Sequence, residues 1–254
     1  MDRWQRFVHW YDLDQGDFCD DVPFYLSLAQ RTGSPILELG CGTGRLVLAL
    51  ARAGHRVTGV DNLPAMLERA REKAQAAGRT VVGRLCFLQG DMRELDLPER
   101  FHLAILAVNT FMHLADPQEQ AQTLARVCQH LVPGGVLALD LFHPHPAALT
   151  PAEGEVTLEK TLTDPDGRTA LKFVARRVDH ARQVIDTTLI YDEIGPQGQV
   201  TRTAATFALR YLHRPEAEAM LGAAGLAVEG VYGSYELDPY GDDRERMLLL
   251  ARRP

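Results

Sequence analysis

Between residues 35 and 142 short apolar runs alternate with amphipathic stretches. Pro35–Leu39 (PILEL) is an apolar run, broken only by Glu38, that ends in glycines and reads as a buried strand. Residues 44–53 are rich in Ala and Leu at helical spacing. Arg56–Val60 (RVTGV) is a second strand, ending at Asp61. The spacing predicts a helix over Pro64–Ala77, with proline in its first turn and Glu68, Glu72 and Lys73 on a solvated face. Arg84–Leu88 and Phe101–Val108 follow as strands. Residues 116–131 form a helix that starts on Asp116 as cap, with Pro117 next and Glu119 at the third position. Val136–Phe142 (VLALDLF) is the fifth strand. Strand and helix in strict alternation imply a parallel sheet with helices on both faces.

The pattern then changes. Runs at 156–163, 169–180, 184–194 and 200–212 are rich in Thr, Val, Ile, Phe and Tyr. Turn signals at Asp164-Pro165-Asp166-Gly167, 179–183 and Gly195-Pro196-Gln197-Gly198 separate them, which predicts an antiparallel meander. A helix over 215–224 and strands at 226–235 and 246–252 complete the chain. The expected division is a core of 1–148 and 214–254, capped by an N-terminal helix, with 149–213 inserted as an antiparallel β subdomain that serves as a substrate lid.

The 254 residues carry formal net charge -7 and are 46% hydrophobic, which fits a globular chain with one insertion and argues against nucleic-acid binding. Asp2, Arg3 and Arg6, then Asp12, Asp14, Asp17, Asp20 and Asp21, leave no apolar signal core, and no run is long enough for a membrane span. Cys19, Cys41, Cys86 and Cys128 form no C-x-x-C pair, so a reducing cytoplasm is the expected setting. Of 27 basic residues only Lys73, Lys160 and Lys172 are lysine, a bias that carries no functional reading by itself.

The chemistry concentrates in Glu38-Leu39-Gly40-Cys41-Gly42-Thr43-Gly44. A strand ends, glycines recur at alternate positions and a helix begins, so a ligand can lie against the main chain at a helix N-terminus. The spacing is G-x-G-x-G, not the G-x-G-x-x-G of dinucleotide binders. Glu38 would repel a pyrophosphate but suits a cation or an amino group. Asp61, at the end of the second strand, can accept from both ribose hydroxyls, or cap the helix that follows. In Gly90-Asp91-Met92 the Asp can accept from an exocyclic amine and the Met can pack on a purine, or the pair is an ordinary turn.

With Leu131-Val132-Pro133-Gly134-Gly135, these motifs, in this order across about 100 residues, resemble those of class I S-adenosylmethionine-dependent methyltransferases. The resemblance implies a Rossmann-like seven-stranded α/β sheet whose last strand is antiparallel, and S-adenosylmethionine as cofactor. It places Gly40 and Gly42 at the methionine part, Asp61 at the ribose, Asp91 and Met92 at the adenine, and Glu38 at the loop and amino end. Cys41, Gly44, Asn62, Met66 and Asn109 fall along the cofactor, Cys41 as small filler. The architecture around the core resembles glycine N-methyltransferase and amino-sugar N-methyltransferases. By that likeness Tyr11, beside Asp12, covers the cofactor or else packs on the core.

Methyl transfer from a sulfonium needs alignment and exclusion of water, and a base only for a hydroxyl acceptor. Acceptor residues belong at the carboxyl ends of the strands. Asn109 can orient acceptor or cofactor there. His113 can act as base or simply lead a helix. Phe111, His143, Tyr191, Arg210, Tyr211, Tyr232 and Tyr235 are substrate-wall candidates, although aromatics on strands more often serve the core. His143 and His145 sit between prolines without a third ligand nearby, so no metal is expected. The reading is transfer to a small-molecule nitrogen or oxygen acceptor, without nucleic acid or membrane, in a chain compatible with a homodimer. The fourth strand lacks the Asn/Asp-Pro-Pro-Tyr/Phe tetrapeptide of nucleic-acid or glutamine methylation. A protein that binds the nucleoside without chemistry is the remaining alternative.

Overall fold

A computed structural model describes residues 3–16, 18–146, 149–150 and 154–254; the expected boundary residue 148 lies outside them. The elements are α1 (Arg3–Gln15), α2 (Val22–Thr32), β1 (Ile36–Leu39), α3 (Arg45–Arg52), β2 (Val57–Asp61), α4 (Pro64–Ala77), α5 (Arg79–Val82), β3 (Leu85–Gln89), β4 (Phe101–Leu106), α6 (Pro117–His130), β5 (Leu131–Phe142), β6 (Val156–Thr163), β7 (Thr169–Asp179), β8 (Val184–Ile194), β9 (Val200–Arg210), α7 (Arg214–Ala223), β10 (Ala227–Tyr232) and β11 (Arg246–Arg252). Short 3-10 turns occupy Met92–Glu94 and Thr110–His113. Among the described residues no helix is long and apolar enough to cross a membrane.

The chain forms two compact units, residues 19–145 with 212–254 and residues 1–18 with 146–211. The first holds a seven-stranded sheet in the order β10-β11-β5-β4-β1-β2-β3. β1 to β5 are mutually parallel, and β11 runs antiparallel to both β5 and β10, as the family resemblance implies. Strand order reverses at β1, which lies between β2 and β4 and opens the crevice where α/β sheets bind ligands. β1 reads as one apolar run because both its faces are covered. Ile36 packs with Leu103, Ile105 and Val136 under α2, α3 and α4, through Phe24, Leu28, Leu46, Leu50 and Leu67. Leu37 and Leu39, on the other face, are also fully buried. The Asp116 carboxylate accepts from the Gln118 N–H at 2.7 Å, so the expected cap starts α6.

α2 is not anticipated by the hydrophobic pattern. Pro23 stands in its first turn, where a proline costs no hydrogen bond, and Gly33 (φ 87) ends it. Phe24, Tyr25, Leu28 and Ala29 give it one buried stripe.

The second unit is the four-stranded antiparallel sheet β6-β7-β8-β9 with α1 packed on it. The pairing of β7 with β8 runs without slip from Thr169↔Ile194 to Asp179↔Val184, and that of β8 with β9 from Val184↔Arg210 to Ile194↔Val200. β6 and β7 shift register between Leu158 and Lys160. Asp164 folds the first turn by accepting from the N–H groups of Asp166 and Arg168. The N-terminal helix thus groups with the inserted sheet, not with the core to which the pattern assigned it. The physical cause is long-range. Phe7 meets the Tyr191 ring at 5.9 Å, and Asp14, on α1, pairs with Lys172 at 2.7 Å and Lys160 at 2.8 Å.

Candidate active site

The loop after β1 is held by its neighbour strand. The N–H groups of Gly40 and Cys41 both donate to the Val60 carbonyl, at 2.8 and 3.0 Å. The Gly42 N–H donates to the Asp61 carboxylate at 2.8 Å. Two glycines have separate reasons to be there. At Gly40 (φ 67) a side chain would collide with the methyl group of Thr110, from the turn after β4. At Gly42 (φ 53) the backbone is left-handed and the side where a Cβ would stand is open. The Cys41 side chain is buried against Gly59, and burial pushes its thiol far up, which suits packing rather than nucleophilic attack.

Glu38 lies on the same face of β1 as Ile36, between α2 and α3. It accepts from the Val47 N–H, and its Oε2 is buried with no hydrogen-bond partner. Burial pushes its carboxyl up to about 8, with Asp21 and Asp61 adding to the shift and Arg45 opposing it. Arg45, the residue after the loop, grips the fully buried Asp21 in a bidentate pair at 2.6 Å. The Tyr25 hydroxyl, also fully buried, has no partner, and burial, followed by Asp140, Tyr235, Asp21 and Glu38, pushes its pKa up. Sequence reasoning missed Asp21, Tyr25 and Arg45. Only Arg45 carried a signal, by directly following Gly44.

Asp61 bridges the glycine loop and the start of α4. Its Oδ1 accepts from the Leu63 N–H at 2.9 Å at the start of α4, its Oδ2 takes the Gly42 N–H, and the Asn62 N–H also bonds the carboxylate, which leaves part of its acceptor capacity over. Asn62 beside it is exposed, whereas Met66 is buried on the inner face of α4. Asp91, after β3, accepts from the main-chain N–H and the guanidinium of Arg93, which holds its carboxyl below the usual range. Arg93 also reaches Glu119 on α6. Met92 is half-buried beside it.

After β4 the chain turns through Val108 (φ 47) and Asn109 (φ 65). The Asn109 Oδ1 accepts from the Phe142 N–H at 2.6 Å, so this side chain ties β4 to β5. Phe111 is fully buried and has no exposed surface to offer an acceptor. His113 is exposed, and packing around its ring lowers its pKa. His143 is buried, its Nδ1 donating to the Arg244 carbonyl at 3.0 Å and its ring 4.7 Å from that of Tyr240. The Tyr235 hydroxyl donates to Asp140 at 2.8 Å, while Tyr232, on β10, packs half-buried on the core.

The remaining candidates belong to the other unit, each engaged within it. Tyr11 stacks on Phe7 at 5.8 Å. Tyr191 is fully buried, with its hydroxyl 3.5 Å from Asp14. Arg210 is buried and reaches Gln183, and Tyr211 is buried with its hydroxyl 3.4 Å from His180.

Residues 36–135 match a family model described as methyltransferase domain. Over 221 residues the chain is 32% identical to the cypemycin N-terminal methyltransferase of a Streptomyces species, covering 87% of this chain and 84% of that protein. The chain belongs to the class I S-adenosylmethionine-dependent methyltransferases. Among solved structures, the CcbJ methyltransferase of Streptomyces caelestis is 26% identical with a TM-score of 0.77, covering 93% of this chain and 95% of that one. The sugar N-methyltransferase KedS8 of Streptoalloteichus sp ATCC 53650, at 22% identity, shares the fold with a TM-score of 0.76 over 98% of this chain and 93% of its own.

The methyltransferase's own residues fit its cofactor. The unpartnered Oε2 of Glu38 suits an ammonium group, the open side of Gly42 leaves room for a ligand on the main chain, and Asp61 keeps acceptor capacity for ribose hydroxyls. When bound, S-adenosylmethionine supplies a methyl group already activated for displacement.

Proposed function

We propose that this methyltransferase places its methyl group on an amine nitrogen of a small molecule or of a free N-terminus. The observation that carries this reading is the 32% identity, across nearly the whole chain, to a protein named as an N-terminal methyltransferase. In such a transfer the nitrogen lone pair forms the new N–C bond as the S–C bond breaks, and the nitrogen sheds one proton. The amine must arrive unprotonated, so the protein has to align it and exclude water. His113, exposed in the 3-10 turn that follows β4, is the candidate to take that proton. The unit of α1 and β6–β9 is proposed to select the acceptor, because the match to that relative extends well past the residues of the cofactor motifs.

The test is release of S-adenosylhomocysteine from the full chain offered amines, amino acids, amino sugars, peptides with free N-termini, and phenols. Turnover with amines and none with phenols is expected. Turnover confined to phenols would move the acceptor to oxygen. Binding without turnover on any of them would point to a non-catalytic role.

A further inference from the structure

Asp140 is a fully buried carboxylate in the apolar run VLALDLF of β5. Packing alone would favour an apolar side chain there, because a buried ion pair rarely improves on one. Its partners point elsewhere. Oδ1 accepts from the Arg246 guanidinium at 2.9 Å, and Oδ2 from the Tyr235 hydroxyl at 2.8 Å. Arg246 also lies over the Tyr235 ring at 4.8 Å. Two further bonds run to the main chain after β4: Oδ2 accepts from the Val108 N–H at 3.0 Å, and the Asp140 carbonyl accepts from the Asn109 N–H at 3.0 Å.

Those two bonds hold a backbone that resists its shape. Val108 (φ 47) and Asn109 (φ 65) are both left-handed. Asn tolerates that region; a β-branched residue strongly disfavours it. Val108 keeps its side chain against the hydrophobic core, so its identity is fixed by packing while its conformation is imposed by Asp140. Such strain persists only where surrounding bonds over-determine it, and it clusters at functional sites. The turn delivers Thr110 directly onto Gly40, close enough that Gly40 has no room for a side chain.

We propose that Asp140 is a positioning residue of the cofactor site: braced by Arg246 and Tyr235, it clamps the Val108–Asn109 turn so that Thr110 closes on the glycine loop. This rests on the cofactor reading of that loop. No contact between Asp140 and the reacting atoms is implied; it acts through the turn.

The test titrates S-adenosylmethionine and S-adenosylhomocysteine into the full chain by calorimetry, with thermal melts alongside. Asp140→Ala is expected to weaken both ligands at least tenfold per folded molecule. Adding Val108→Gly, which accepts φ near 47 without strain, is expected to recover at least half of that loss on a logarithmic scale. A merely structural role would lower the melting temperature, leave Kd unchanged and gain nothing from the glycine; that outcome overturns the proposal. If Asp140→Ala does not fold, Tyr235→Phe decides. It removes one brace and is expected to weaken binding about threefold, and an unchanged Kd overturns the proposal. A wild-type chain that binds neither ligand would instead contradict the cofactor reading itself.

Discussion

In the unit built on the parallel sheet, Glu38 keeps one buried carboxylate oxygen without a partner. In the antiparallel unit, Asp14 is just as deeply placed but is closed in by Lys160, Lys172 and Tyr191. Two of the chain's three lysines are thus spent on one acid. Lys172 has only 8% of its side chain exposed and also pairs with Glu159 at 3.1 Å. An acid whose bonds are filled from within stabilises a fold. Glu38, with an oxygen left unpartnered beside a glycine loop and a helix N-terminus, is the acid we propose to meet a ligand.

The contrast can be broken most severely at Lys172. Lys172→Met leaves the buried carboxylate of Asp14 with one partner fewer, and such losses cost about 3 kcal/mol. A denaturant series should show a loss of that size with S-adenosylmethionine affinity unchanged. A stability loss under about 1 kcal/mol would mean that the pair is solvated, since exposed ion pairs are worth no more than that.

A smaller effect separates the two acids by pH. With its pKa raised to about 8, Glu38 keeps a proton in the folded protein that the unfolded chain has already lost above its ordinary value. The folded state binds more protons, so stability falls as pH rises through that window and levels off above it. Glu38→Gln should flatten this fall, with a wild-type-minus-variant difference of about 2 kcal/mol between pH 6 and 8. Asp14, whose pKa is lowered, gives the opposite sign, its contribution being lost only as pH falls through the acid range. Parallel slopes for wild type and Glu38→Gln would show that Glu38 is already ionised.

The smallest effect tests a feature common to any helix. Asp116→Ala removes the side-chain cap of α6 and should cost about 1 kcal/mol without touching cofactor affinity. Unchanged stability would mean that the main chain caps itself there.

The alternation of β1 to β5 with α3, α4 and α6 was legible because β1, β4 and β5, covered on both faces, are near-continuous apolar runs, and because Asp116, Pro64 and Pro117 mark helix starts. The candidate cofactor residues could be named from the sequence because they lie at the ends of those strands. What supports them could not. Asp21 meets Arg45 across 24 residues, and Asp140 meets Arg246 across 106. Such pairs depend on tertiary placement, which no local pattern records. The same holds for α1, whose attachment to the inserted sheet depends on Asp14 finding lysines about 150 residues later. Tyr191 and Tyr211 looked like wall residues because a strand pattern gives the period of its two faces but not which face is covered.

The central claim is that the loop from Gly40 to Gly44, with Glu38 and Asp61, binds S-adenosylmethionine. Calorimetric titration of the full chain tests it most directly. The expected result is one site of micromolar Kd, weakened at least tenfold by Asp61→Ala. Well-folded wild-type protein that gives no binding heat, or an Asp61→Ala variant that binds as tightly as wild type, would contradict it.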